Sequence, residues 1–235
     1  MRELDRFAKE RPVVGRERAE GKYAGFTYLT AKALSEIPSD AAFSAAFALV
    51  LRSQCGLQAA VGPFVAAHAL LAATSSALGL AVGAAAPRAE QALAVGAPIM
   101  VIHMLVGVID PAGADSEPDG ALMRTLRALS PVRHAIEAVC LAELRDVHFA
   151  KPKGTPGLGA LAGAVGGGGG GPSMGALAGV WSGNDVLQKL GVARSFAQPM
   201  RALGTLAALH LAAGLLALVA TAPRFARTQT RQQDD

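Results

Sequence analysis

The residues most able to do chemistry in this 235-residue chain sit in unusual surroundings. Lys32, Glu36 and Asp40 recur every fourth position at the head of an apolar run, so a helix stacks them on one face. A charge at the centre of a bilayer costs about 2.5–3.5 kcal/mol. The three must therefore lie near a membrane surface or face other helices, and Lys32 and Glu36 are spaced to pair. His103 lies deep in another apolar run, where an ionisable side chain is a functional candidate by default. No second His, Asp or Glu lies within a turn of it, which argues against a metal site and for a neutral, hydrogen-bonded imidazole. Gly171-Pro-Ser173-Met-Gly175 fits the spacing of a hydrolase elbow, but that motif needs a strand before the serine, and six glycines (Gly166–Gly171) stand there instead. No Lys-Ser or Lys-Thr follows those glycines, so they do not build a phosphate-binding loop for ATP. Cys55 and Cys140 form neither a metal pattern nor a disulfide framework.

The elements that must position these residues follow from composition. Apolar residues make up 51% of the chain and charged residues only 17%, against about a quarter in soluble domains. Mean hydropathy is +0.34. The shortage of charge is concentrated in four windows, Thr27–Leu51, Ala59–Ala86, Gln91–Ile109 and Ala202–Ala222, each about long enough for one crossing of a membrane. Pro38 marks a candidate kink between the polar and apolar halves of the first, and Tyr23, Phe26 and Tyr28 fit an interfacial aromatic belt. Ser75, Gly79 and Gly83 give the second a small-residue face for close helix packing. The fold class is all-α: a polytopic membrane protein of about four spans, with a re-entrant or external helix and a flexible Gly-rich loop.

The formal charge of +4 does not indicate nucleic acid, because basic residues cluster before the first apolar window and after the last, without aromatic stacking platforms among them. The positive-inside tendency then places both termini in the cytoplasm. The first 22 residues are charged throughout and contain no apolar signal core, so the first span itself is expected to direct insertion. This divides the chain into a cytoplasmic basic segment (1–26), three spans (27–110), an external region (111–198), a last span (199–223) and a cytoplasmic tail (224–235). Within the external region, residues 129–144 read as a helix too short to span, with Ser130 as N-cap, Pro131 at the first helical position, and Arg133 and Glu137 spaced to pair. Residues 151–179 are a low-complexity linker, and Asn184–Gly191 is expected to add one amphipathic turn.

Taken in order, these features resemble the C-terminal part of the membrane domain of G-subfamily ABC transporters, the white/pigment-precursor half-transporters. RERAEGKYAGFTYLTAKALSEIP (Arg16–Pro38) is similar to the segment that leads into that family's third span, and SSALGLAVGAAAP (Ser75–Pro87) to the end of its fourth. GAPIMVIHMLVGVID (Gly96–Asp110) is similar to the fifth, and LSPVRHAIEAVCLAEL (Leu129–Leu144) to its external re-entrant helix. His134 stands where the family usually has an aromatic residue, and Glu143-Leu144 where it favours Glu-Phe.

The resemblance implies that Arg16, Glu17, Arg18, Glu20, Gly21 and Tyr23 form a coupling element docking on a nucleotide-binding domain. It implies that Met100, His103 and Met104 line a substrate cavity, with Val108 and Ile109 as its apolar valve, and that the helix carrying Ser130, Pro131, Arg133 and Glu137 caps the cavity. The function implied is the permease part of an ATP-driven exporter of a lipid or other lipophilic small molecule. No catalytic site or cofactor is expected within the chain; ATP and Mg would sit on a separate nucleotide-binding domain, and a second membrane domain would complete a homo- or heterodimer. The other reading the residues allow is a non-transporting four-span scaffold or assembly protein.

Overall fold

A computed structural model describes residues 13–14, 16–17, 20–86, 88–107, 120–145, 147, 182–192 and 195–220. The described residues form helices α1 (Gly25–Cys55), α2 (Val61–Ala85), α3 (Ala89–Gly107), α4 (Ala121–Leu129), α5 (Pro131–Leu144), α6 (Gly183–Lys189) and α7 (Ala197–Ala220). Four of them, α1, α2, α3 and α7, are long and apolar enough to cross a membrane. At 1.5 Å per residue, α2 extends roughly 38 Å and α7 roughly 36 Å.

The four expected windows are all helical, with shifted ends. Helix α1 begins at Gly25 and continues without interruption through Pro38 to Cys55, where Gly56 takes the left-handed conformation (φ 63°) and returns its N–H to the carbonyl of Arg52. That closure is the common helix-ending turn in which glycine avoids a Cβ penalty. Helix α7 starts at Ala197, earlier than the charge-free window suggested, because Arg201 is tolerated on its exposed face. Helix α4 was not anticipated from the sequence. It is short and amphipathic, and it ends at the residue before Ser130, so residues 121–144 are two helices joined at one N-cap. The Gly-rich stretch 151–179 and the tail 224–235 lie outside the described residues.

Helix α2 is the centre of the bundle, packed against α1, α3, α5 and α7. Its sequence explains this position. Between hydrocarbon-embedded helices there is no hydrophobic driving force, so close van der Waals approach and polar contacts hold them together. The buried face of α2 is largely small: Ala67, Thr74, Ser76, Ala77, Gly79, Ala81, Gly83 and Ala84, with Phe64 and Leu80 filling the wider gaps. Of the three small residues singled out on this helix, Gly79 and Gly83 are buried and Ser75 is half-buried, with Ser76 turned inward beside it. On α7, a Cβ at Gly214 would stand 3.2 Å from the Cα of Ala81, so the two backbones nearly touch there. Thr74 adds a polar tie, donating its hydroxyl to the carbonyl of Leu203 on α7 at 3.1 Å. The outward faces remain apolar, with Leu34, Phe43, Leu105 and Leu216 each at least 70% exposed, as a lipid-facing surface requires.

Candidate functional site

The chemistry-bearing residues fall into three groups along the bundle: a turn before α1, a polar strip on α1, and a junction of α3, α4, α5 and the loop between α1 and α2.

The turn before α1 is built from backbone bonds. The N–H of Glu20 donates to the carbonyl of Arg16 and that of Lys22 to Glu17, both at 3.0 Å. Gly21 sits at φ 73°, a conformation that costs an ordinary L residue about 1–2 kcal/mol. The hydroxyl of Tyr23 donates to the carboxylate of Glu17 at 2.7 Å, and the Tyr23 ring stacks on Tyr28 of α1 at 6.2 Å. The turn is thereby tied to the first helical turn of α1 while Arg16, Glu20 and Lys22 point outward. Lys22 and Glu20 pair at 2.9 Å on this surface, which lowers the glutamate's pKa and raises the lysine's. Arg18, assigned to the same element from the sequence, lies outside the described residues.

The polar strip on α1 faces inward. Lys32 and Glu36 pair at 3.2 Å with side chains only 8% and 10% exposed. Asp40, one turn further, accepts a hydrogen bond from the hydroxyl of Ser76 on α2. All three stacked residues thus turn toward protein, as the cost of a charge in hydrocarbon demands.

The junction is organised by α5. Ser130 is fully buried and serves two helices at once. Its oxygen accepts from the N–H of Arg133 as N-cap, and its hydroxyl donates to the carbonyl of His103 in α3 at 2.9 Å. The start of α5 lies so close to α3 that a Cβ on Gly107 would come within 2.9 Å of the Val132 side chain and 3.1 Å of the Arg133 nitrogen. Arg133 pairs with Glu137 at 3.0 Å. His134 reaches the other carboxylate oxygen of Glu137 at 3.8 Å, and its Nε2 bonds the carbonyl of Ala128 in α4 at 2.9 Å. Glu137 and that carbonyl together raise the pKa of His134 above its ordinary value.

Among the residues expected to line a cavity, Met100 and His103 are half-buried, while Met104 is 63% exposed and turns away from the packed face of α3. Val108 and Ile109 lie outside the described residues. Sequence reasoning missed three features. One is His210 on α7, whose Nδ1 is buried without a hydrogen-bond partner among the described residues. A lone histidine in an apolar window carried the only signal for it. Another is Glu143, which bonds backbone amides 84 and 85 positions away. The third is an apolar groove of about 450 Å³ between α1 and α7, lined by Phe26, Leu29, Ile37, Pro38, Leu211 and Leu215. Among the described residues, no three His, Cys, Asp or Glu side chains converge where they could hold a metal ion.

A four-span bundle with a central small-faced helix and a short helix braced across its end is the setting in which comparison with known proteins becomes informative. Residues 4–144 match the family model described as ABC-2 type transporter. This chain belongs to that family. It is also 34% identical over 146 residues to ABC transporter G family member 7 of Arabidopsis thaliana, a match covering 61% of this chain and 20% of the relative. The chain therefore corresponds to about a fifth of the length of that relative. Family and relative agree with the resemblance drawn from the motifs, and they make the protein an integral, multi-pass membrane domain of the G-subfamily type. The matched region ends at Leu144, the last residue of α5, so the turn before α1, the polar strip and the whole junction lie inside it.

Proposed function

We propose that this ABC-2 domain is the permease part of an exporter that moves a lipid or other lipophilic small molecule, powered by ATP and Mg bound to a nucleotide-binding domain outside these 235 residues. The observation that carries the reading is the construction of residues 16–28. A charged turn, closed by its own backbone bonds, is welded through the Glu17–Tyr23 bond and the Tyr23–Tyr28 stack to a 31-residue helix. Such a turn transmits displacement as a lever does, because the soft degrees of freedom between it and α1 are already bonded. Arg16, Glu17, Glu20, Gly21 and Tyr23 are assigned to docking, with Arg18 beside them in sequence. Met100 and His103 are assigned to the cavity wall with Met104, and Val108 and Ile109 follow α3 where a valve would stand. The buried Lys32–Glu36 pair stiffens the first span. A second membrane domain would close the cavity, and both termini are assigned to the cytoplasm.

The test is reconstitution with a nucleotide-binding partner and measurement of ATP-dependent movement of a fluorescent phospholipid between leaflets. Tyr23→Phe removes one hydroxyl and is expected to lower transport several-fold while leaving ATP binding intact. No lipid movement by the wild type, with a partner ATPase rate that charge reversal at Glu17 and Glu20 leaves unchanged, would instead favour a scaffold.

A further inference from the structure

Glu143 stands at the last turn of α5, and its two carboxylate oxygens are both engaged. One accepts the backbone N–H of Gln58 and the other that of Ala59, each at 2.8 Å. These amides belong to the loop that joins α1 to α2. The loop's neighbours cannot serve them, since α2 begins at Val61 and its N-cap, Ala60, offers no side-chain acceptor. A carboxylate is the suitable partner: it satisfies two adjacent donors at once, and its charge lies beside the positive end of α2.

The same loop is held from the other side. The Nε of Arg52, near the end of α1, donates to the carbonyl of Ala59 at 2.7 Å. Ala59 is 1% exposed, so one peptide segment is gripped on its N–H by α5 and on its carbonyl by α1. Beneath the polar contacts, Ala48 of α1, Ala59 of the loop and Phe64 of α2 form an apolar cluster with Val139 and Ala142 of α5. The other end of α5 is fixed to α3 through Ser130 and Gly107. Helix α6 and the turn after it support the Glu143 end: Leu187 and Val192 pack on Leu141, and the N–H of Gly183 donates to the carbonyl of Val147 at 2.7 Å.

Helix α5 is therefore a brace between the end of α3 and the corner where α1 becomes α2. We propose that Glu143 is the positioning residue of this brace: it locks α5 to loop 56–60, so that the corner and α5 move as one body and a shift of α1 or α2 is delivered to the end of α3. The delivery of motion to transport rests on the function proposed above; the lock itself does not.

Two readouts separate these levels. Hydrogen–deuterium exchange on the full chain in lipid nanodiscs, with Glu143→Ala and Glu143→Gln variants, reads the lock directly. Loss of a charge-assisted partner should speed exchange of the 57–60 amides about ten- to a hundredfold in Glu143→Ala. Glu143→Gln, with one carbonyl oxygen left to accept, should show a smaller rise. Protection within α7 should stay as in the wild type, which establishes that the variants are folded. If Glu143→Ala loses protection throughout, the Gln variant keeps the side-chain volume and carries the comparison. Unchanged exchange at 57–60 in both variants overturns the lock.

In the reconstituted transporter, phospholipid moved per ATP hydrolysed should fall several-fold in Glu143→Ala at an unchanged ATPase rate. Parallel loss of both activities, or an unaltered ratio, overturns the one-body role. If the wild type moves no lipid, the proposed function fails, while the exchange data still decide the lock.

Discussion

Removing Lys32 alone should harm this protein more than removing Lys32 and Glu36 together. The two side chains are 8% and 10% exposed and 3.2 Å apart on one face of α1. Taking away one partner removes the counter-ion 3.2 Å from a buried charge, and breaking such a pair costs about 3–5 kcal/mol. Replacing both with apolar residues of similar volume removes the desolvation penalty along with the attraction, and the net change is typically within about 1 kcal/mol of neutral or favourable. In a chain of this length each kcal/mol moves the midpoint by about 2–4 °C. Lys32→Met and Glu36→Leu should each lower the thermal midpoint in nanodiscs by roughly 6–20 °C, and the double variant should return to within about 4 °C of the wild type. The assay is differential scanning fluorimetry on all four proteins, read as a double-mutant cycle. A double variant that falls by the sum of the two single losses would refute the reasoning. It would mean that each side chain stabilises the bundle through contacts of its own, and that the pair as such is worth nothing.

Two further outcomes follow from the junction around α5. Gly107→Ala places a Cβ within 3.1 Å of the Arg133 nitrogen and 2.9 Å of Val132, so α5 must move off α3; a loss of about 1–3 kcal/mol is expected, and the half-buried thiol of Cys140 should react faster with a maleimide. His134 lies outside the four spans, faced by Glu137, by the Ala128 carbonyl and, with opposite effect, by Arg133. Its folded pKa is raised above 6.5, so the folded state holds the proton more tightly; the stabilisation is complete below about pH 6.5 and is lost as pH climbs through the folded value. Midpoints measured between about pH 5.5 and 8.5 should fall with rising pH in the wild type relative to His134→Gln; parallel curves would refute the assignment.

The sequence by itself determined whatever depends on neighbours within a turn or two along the chain. The scarcity of charge in long windows settled four spans, because hydrocarbon tolerates little else. Ser130-Pro131 determined where α5 starts, and the four-residue spacings determined the Lys32–Glu36 and Arg133–Glu137 pairs. Helix α4 was equally local and went unread, since its two arginines obscured a short apolar face in a region taken to be irregular.

Only the tertiary structure decided which span is central and what each polar group meets across the bundle. Nothing within a turn of Asp40 names Ser76, nothing near Ser130 names the carbonyl of His103, and Glu143 finds its amides 84 and 85 residues away. Between apolar helices any face can in principle meet any other. The choice falls to points where backbones approach closely enough, at Gly107 and Gly214, for a few buried polar groups to find partners. Those partners are set by the path of the folded chain, which periodicity along one helix does not encode.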